Sequence, residues 1–178
     1  EISRRQLGVR NELDGLYIGK TKITLTYFVH GIMAQRWQSI LDTGVLAHGL
    51  RRKNESMFTN FGFSSHYRDG NVIRAAIDSG VFTVCELPYN AFNRSLTELI
   101  DYAHEKGLAV VNMKAFNGTS MIPLMRQIAG VCDVTTKDML RFCLKNKSIS
   151  CIDVGARFIS ELDDDIAWAA ELPMTDAE

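Results

Sequence analysis

The sequence has no C-x-x-C pair, no G-x-G-x-x-G loop, no long run of like charge and only three prolines. Each absence excludes something. Without paired cysteines, the four present (Cys85, Cys132, Cys143 and Cys151) do not indicate a zinc or iron–sulfur site. Without a glycine-rich turn after a strand, a Rossmann dinucleotide site is not expected. Net charge is -1, from 20 basic and 21 acidic residues, so no basic excess points to nucleic acid. No apolar stretch is long enough to span a bilayer, and no signal peptide is visible in a sequence that begins with Glu1 rather than Met. We therefore expect a cytoplasmic protein without membrane or nucleic-acid partners, its thiols kept reduced. No metal site is expected; the Asp163-Asp164-Asp165 cluster is read as charge suited to a helix start.

What is present is an ordinary globular composition, 46% hydrophobic and 23% charged, ample for one core over residues 1–178. The hydrophobic pattern alternates between strand and helix. Strands are predicted over Ile23 to Val29, Met57 to Phe63, Phe82 to Leu87, Leu108 to Met113 and Ile149 to Val154. Leu108 to Met113 reads as an apolar strand of the kind buried on both faces of a parallel sheet. Cys85 and Cys151 fall in these strands and read as small buried apolar residues.

Helical segments follow each strand. Ala34 to Lys53 reads as helical with an interruption at Gly44. Val72, Ile73, Ala76 and Ile77 make one face, stopped by Gly80. Ser95 and Glu98 have the spacing of a capping box, before a helix that Gly107 ends. Thr135 or Thr136 can cap a helix carrying Met139, Leu140, Cys143 and Leu144, and Ser160 begins the last helix. Glu1 to Leu16 reads as a helix end and loop, and Gly19 to Lys22 as a turn. The result is about five parallel strand–helix units, an α/β pattern that fits part of a (β/α)8 TIM barrel.

Polar residues collect where each strand ends: His30-Gly31, Ser64-Ser65-His66, Pro88-Tyr89-Asn90 and Met113-Lys114. In parallel α/β folds these carboxyl ends are where ligands bind. Taken singly, His30 could be a satisfied strand-end histidine, and Asn90 could only shape a turn. Ser64 and Ser65 carry hydroxyls that can both donate and accept, which suits recognition of a carboxamide. Glu86, a strand carboxylate, calls for a cationic partner, and Lys114 on the neighbouring strand is the natural one.

Taken in order, these motifs resemble the aldo-keto reductases over about Ser3 to Ala170, nearest a bacterial and archaeal branch with a Met-Lys motif. The resemblance implies strands four to eight of the barrel and an NAD(P)H-dependent oxidoreductase that reduces a carbonyl to an alcohol. His30 matches the histidine of the family's catalytic tetrad. The tetrad's Asp, Tyr and Lys belong to strands that precede the matching region, so the resemblance implies an incomplete active site. Ser64, Ser65, Glu86, Met113, Lys114, Gly155, Arg157 and Asp165 match its cofactor-binding positions. Several depart from its pattern: Ser65 stands for Asn, Glu86 for Gln, Met113 for a stacking Tyr, Asp165 for Asn, and Val154 for Pro before Gly155. Arg157, with a planar fork suited to phosphate, favours NADP(H) over NAD(H). The implied partner is a small-molecule carbonyl substrate. A partial barrel also leaves sheet edges open, so self-association or a completing chain is a competing expectation, as is a non-catalytic interaction module.

Overall fold

The computed structural model describes residues 17–18, 21–22, 24–118, 123–124, 127 and 134–171. The expected helix end over Glu1 to Leu16 lies outside the described residues, as does Cys132. Two short strands, β1 (Tyr17–Ile18) and β2 (Thr21–Lys22), pair antiparallel. Thr21 and Lys22, expected in a turn, therefore lie in a strand.

The main sheet has five parallel strands in the order β3 (Thr26–Val29), β4 (Asn60–Ser64), β5 (Val84–Pro88), β6 (Ala109–Met113) and β7 (Cys151–Ile152). Sequential order with a helix after each strand is the arrangement of an opened barrel, as the sequence pattern predicts. The chain divides into two compact units, residues 1–85 and 86–178.

In the first unit, Gly44 adopts φ +70 and separates α1 (Ala34–Asp42) from α2 (Val45–Asn54). The left-handed conformation is one that glycine alone takes without penalty. The core is aromatic. Phe61 and Phe63 of β4 both lie 5.1 Å from Phe82, and Phe61 also meets Phe58 at 5.7 Å. Gly49 of α2 admits the Phe61 ring, since a Cβ there would sit 2.2 Å from Phe61 Cζ. Met57 and Phe58, expected to begin the strand, are buried ahead of it. The helix α3 (Gly70–Asp78) is capped by Asp69, whose Oδ1 accepts from the Val72 amide at 3.4 Å. Its buried face is Val72, Ile73, Ala76 and Ile77, as the spacing predicts.

The second unit packs Leu87 and Val110 with Leu99, Ile100 and Ala103 of α4 (Thr97–Glu105) and Met139, Leu140 and Cys143 of α5 (Thr136–Lys145) among its buried residues. Burying side chains of this size stabilises by roughly 1.5–3 kcal/mol each. Thr135 forms the capping box of α5: its Oγ1 accepts from the Asp138 amide at 3.2 Å, and Asp138 Oδ2 accepts from the Thr135 amide at 2.9 Å. No such box opens α4. Ser95 instead donates its hydroxyl to Asn93 Oδ1 at 2.8 Å, and the helix begins after Leu96. The nearer Asn93 carboxamide takes the group that a capping box would need.

Two further expectations are corrected. Ala109 and Cys151 are exposed and Val111 only half-buried, so β6 and β7 are not covered on both faces. The last helix, α6, runs Ile159–Ala169, which puts Asp163 to Asp165 beyond its first turn; Glu161 is the acidic residue at its start.

Candidate functional site

Each unit builds its own part of the strand ends. In the first, β3 delivers His30 to an exposed position and the chain turns at Gly31, φ +69. Two serines at the end of β4 hold that turn. Ser64 Oγ accepts from the Gly31 amide at 3.0 Å, and the Ser64 carbonyl accepts from the Ile32 amide at 2.8 Å. Ser65 donates its hydroxyl to the Ile32 carbonyl at 2.9 Å and accepts from the Tyr67 amide at 3.3 Å. Both serines are buried, and their hydroxyls serve the backbone beneath His30. The His30 ring meets the His66 ring edge-on, with centroids 6.0 Å apart.

In the second unit two buried asparagines cross-link the loops after β5 and β6. Asn112 Oδ1 accepts from the Tyr89 amide at 3.0 Å. Asn90 Nδ2 donates to the Lys114 carbonyl at 2.8 Å, while its Oδ1 accepts from the amides of Phe92 at 3.0 Å and Asn93 at 2.9 Å. Lys114 is exposed and has φ +62, a left-handed conformation unusual for a side chain of its length. The Asn90 bond fixes the carbonyl that this conformation turns inward. Cys143 donates its thiol to the Tyr89 carbonyl at 3.4 Å, tying α5 to the same loop. Asn112 Nδ2 is buried without a hydrogen-bond partner. It lies near enough to the Cys143 sulfur to favour the thiolate weakly, but burial dominates and pushes that thiol up to about 11.

Sequence reasoning offers Asn90 as a residue that could only shape a turn and does not single out Asn112. The signal for Asn112 is the one polar residue inside the apolar run Leu108 to Met113. A buried amide needs partners, and at a strand end neighbouring backbone groups can supply them.

The remaining predicted residues fall on unit two. Glu86 is half-buried on β5, and with Asp153 its charge raises the Cys151 thiol, after the larger effect of partial burial. Those three groups therefore lie close together. Met113 is buried at the end of β6. Gly155 is exposed, with nothing within 4 Å of where a Cβ would stand. Arg157 has a side chain 71% exposed; its guanidinium reaches Glu161 Oε1 at 3.2 Å and lies 5.8 Å from the Phe158 ring. The Arg157 amide, at 2.6 Å, and then its guanidinium hold the Glu161 carboxyl below its ordinary range. Asp165 is buried on α6, and burial, then the charges of Glu161 and Asp164, push its carboxyl upward.

Among the described residues no three His, Cys, Asp or Glu gather as a metal ion would require, and no helix is long and apolar enough to cross a membrane. No protein-family model matches the chain, and no curated protein matches it. Solved structures do. The chain is similar to aldo-keto reductase AKR11C1 from Bacillus halodurans in its holo form, with TM-score 0.75 at 17% identity over 99% of this chain and 61% of that one. The apo form gives 0.73 at 17% identity, covering 99% and 64%. A thermostable aldo-keto reductase in complex with the inhibitor epalrestat gives 0.66 at 16% identity, covering 99% and 62%. The chain thus spans less than two thirds of the proteins it superposes on, and it has the fold of part of an aldo-keto reductase barrel.

Proposed function

We propose that the chain contributes the cofactor-facing strands of an NAD(P)H-dependent oxidoreductase that reduces a carbonyl to an alcohol, with NADP(H) preferred over NAD(H). The observation that carries this reading is the exposed His30 at the end of β3, held on a turn that Ser64 and Ser65 fasten, within a fold similar to aldo-keto reductases. An exposed imidazole at a strand end can donate to, or accept from, a substrate oxygen.

The fit of the cofactor differs along its length. At the phosphate end, Arg157 offers an exposed planar fork and Gly155 an open backbone. The exposed Glu161 pair is a weak competitor for that fork. At the carboxamide end, Ser64 and Ser65 fasten residues 31–32 beneath His30, and the Ser64 hydroxyl, which accepts from the Gly31 amide, keeps its proton to donate. Glu86 and Met113 remain the residues of the second unit that would meet the nicotinamide. A bound nicotinamide supplies the hydride, and the protein orients the carbonyl. The resemblance puts the general acid of such a reaction on strands that precede the matching region. The buried free thiols Cys85 and Cys143 suit a reducing, cytoplasmic setting.

The test is a titration with NADPH and with NADH, read by quenching of Trp37 and Trp168 fluorescence. Saturable quenching by NADPH, weakened by Arg157→Ala and unaffected by a helix-surface control such as Arg74→Ala, is the expected result. No saturation at millimolar cofactor would sink the reading.

A further inference from the structure

The turn that carries His30 also holds a cation. Arg36 Nη1 lies 3.9 Å from where a Cβ on Gly31 would stand, so the guanidinium rests against the residue next to His30. His30 and Arg36 are both exposed. The His66 ring bounds His30 from the loop after β4, edge-on with centroids 6.0 Å apart. Arg36 stands in the first turn of α1, where no acidic residue accompanies it and where a cation opposes the helix dipole. The helix itself is therefore not stabilised by this charge. The carboxylates of the first unit are engaged elsewhere. Asp42, at the end of α1, accepts from Gln38 Nε2 at 2.8 Å, Glu55 accepts from Arg52 at 2.7 Å, and Asp69 caps α3. Among the described residues no carboxylate pairs with Arg36.

We propose that the carbonyl compound taken by this site carries a carboxylate, which Arg36 clasps while His30 meets the carbonyl oxygen. The substrate class is then a short oxo acid. The inference rests on reading His30 as the group that meets a carbonyl, and it adds the charge of the substrate to that reading. A planar guanidinium binds a carboxylate through two parallel N–H···O bonds, which fixes direction as well as charge. The two groups belong to one turn, so a few carbons suffice to join the carboxylate to the carbonyl. A phosphate monoester, with nearly two charges, would call for a second fixed cation, and residues 30–33 include no lysine or arginine. A neutral ketone would leave the guanidinium in water and gain nothing from it. Arg36 thus sets specificity, and His30 has the same role with acid and neutral carbonyls.

The test titrates levulinate into the full chain and follows the His30 ring and Arg36 side-chain resonances by NMR, with methyl levulinate as the neutral control. Levulinate should shift both sets of resonances and bind about tenfold tighter than its ester, corresponding to about 1.4 kcal/mol. Arg36→Gln should abolish that advantage and leave the affinity for the ester unchanged. Arg36→Lys keeps the charge without the fork and should retain only part of it. Arg36 is exposed, so both variants should keep the unfolding midpoint of the parent chain. Equal affinity for acid and ester, an acid advantage that survives Arg36→Gln, or no binding of levulinate in the millimolar range overturns the proposal. Acetate that binds as tightly as levulinate, with the His30 resonances unmoved, overturns it in favour of a plain anion site. The NADPH titration does not involve Arg36, so either reading can fail while the other stands.

Discussion

Ser64 Oγ receives the Gly31 amide at 3.0 Å, joining residues 33 positions apart at the ends of two adjacent parallel strands. Both residues are buried, so the bond has no water to replace it. Ser64→Ala should cost about 1–3 kcal/mol, the penalty of an orphaned buried amide. Denaturant unfolding checks the magnitude. A His30 ring resonance that shifts in the same variant would show that the serine places the histidine.

The Phe61 ring occupies the space where Gly49 has no side chain. Alanine normally favours a helix over glycine by roughly 1 kcal/mol. Here the clash that an added Cβ would make with the Phe61 ring reverses the sign. Gly49→Ala should destabilise by about 1–3 kcal/mol through overpacking, and the double change with Phe61→Leu should recover part of it. A stabilised single variant in thermal unfolding would contradict the packing described.

Asn112 combines one useful group with one idle one. Its Oδ1 serves the Tyr89 amide, which also reaches the Met113 carbonyl at 3.3 Å, while Nδ2 is unpartnered. Asn112→Leu keeps the volume and removes the unsatisfied amide. It should therefore cost less than Asn112→Ala, which leaves a cavity, with a difference of roughly 1–2 kcal/mol in urea unfolding. Equal losses would show that the amide bond and not the volume dominates.

Burial raises the Cys85 thiol from an ordinary 9.0 to about 12 and the Cys143 thiol to about 11. The unfolded chain releases these protons first, so the native state is favoured in full below pH 9 and loses that advantage as pH rises toward the folded values. Stability should fall above pH 9 by up to about 1.4 kcal/mol per unit for each thiol. Unfolding midpoints across pH 8 to 10.5 give the slope, and Cys85→Ala should reduce it by about half. Of the three described thiols, Cys151 alone is exposed and should react with iodoacetamide first. Its reaction should speed up in Asp153→Asn, which removes one of the charges that raise it.

Helix breaks and faces were legible in the sequence wherever one residue type has one physical reason to be there. Gly44, Gly80 and Gly107 all have positive φ and stand where the helical pattern stops. The Val72, Ile73, Ala76 and Ile77 face needed no tertiary information. Burial of the sheet was less legible, because an apolar run such as Leu108 to Met113 implies two covered faces only when other strands are there to cover them. Ala109 and Cys151 are exposed, at the start of their strands, which no local pattern records. The false capping box at Ser95 failed through competition with Asn93. At the strand ends the motifs were visible in order, but not the task of each group. Ser64 and Ser65 carry hydroxyls that suit a carboxamide, and their place under His30, where they fasten the backbone, shows only in the structure.

The pair formed by Asn90 and Asn112 has a consequence for how the protein opens. Each carboxamide grips the backbone of the other's loop, so neither loop can lift without releasing the other. The amides of Tyr89, Phe92 and Asn93 should then exchange with solvent deuterium at one shared rate, set by a single local opening and not by three independent ones. The ends of β5 and β6 behave as one piece, and whatever binds above them meets a surface that is either wholly formed or wholly absent.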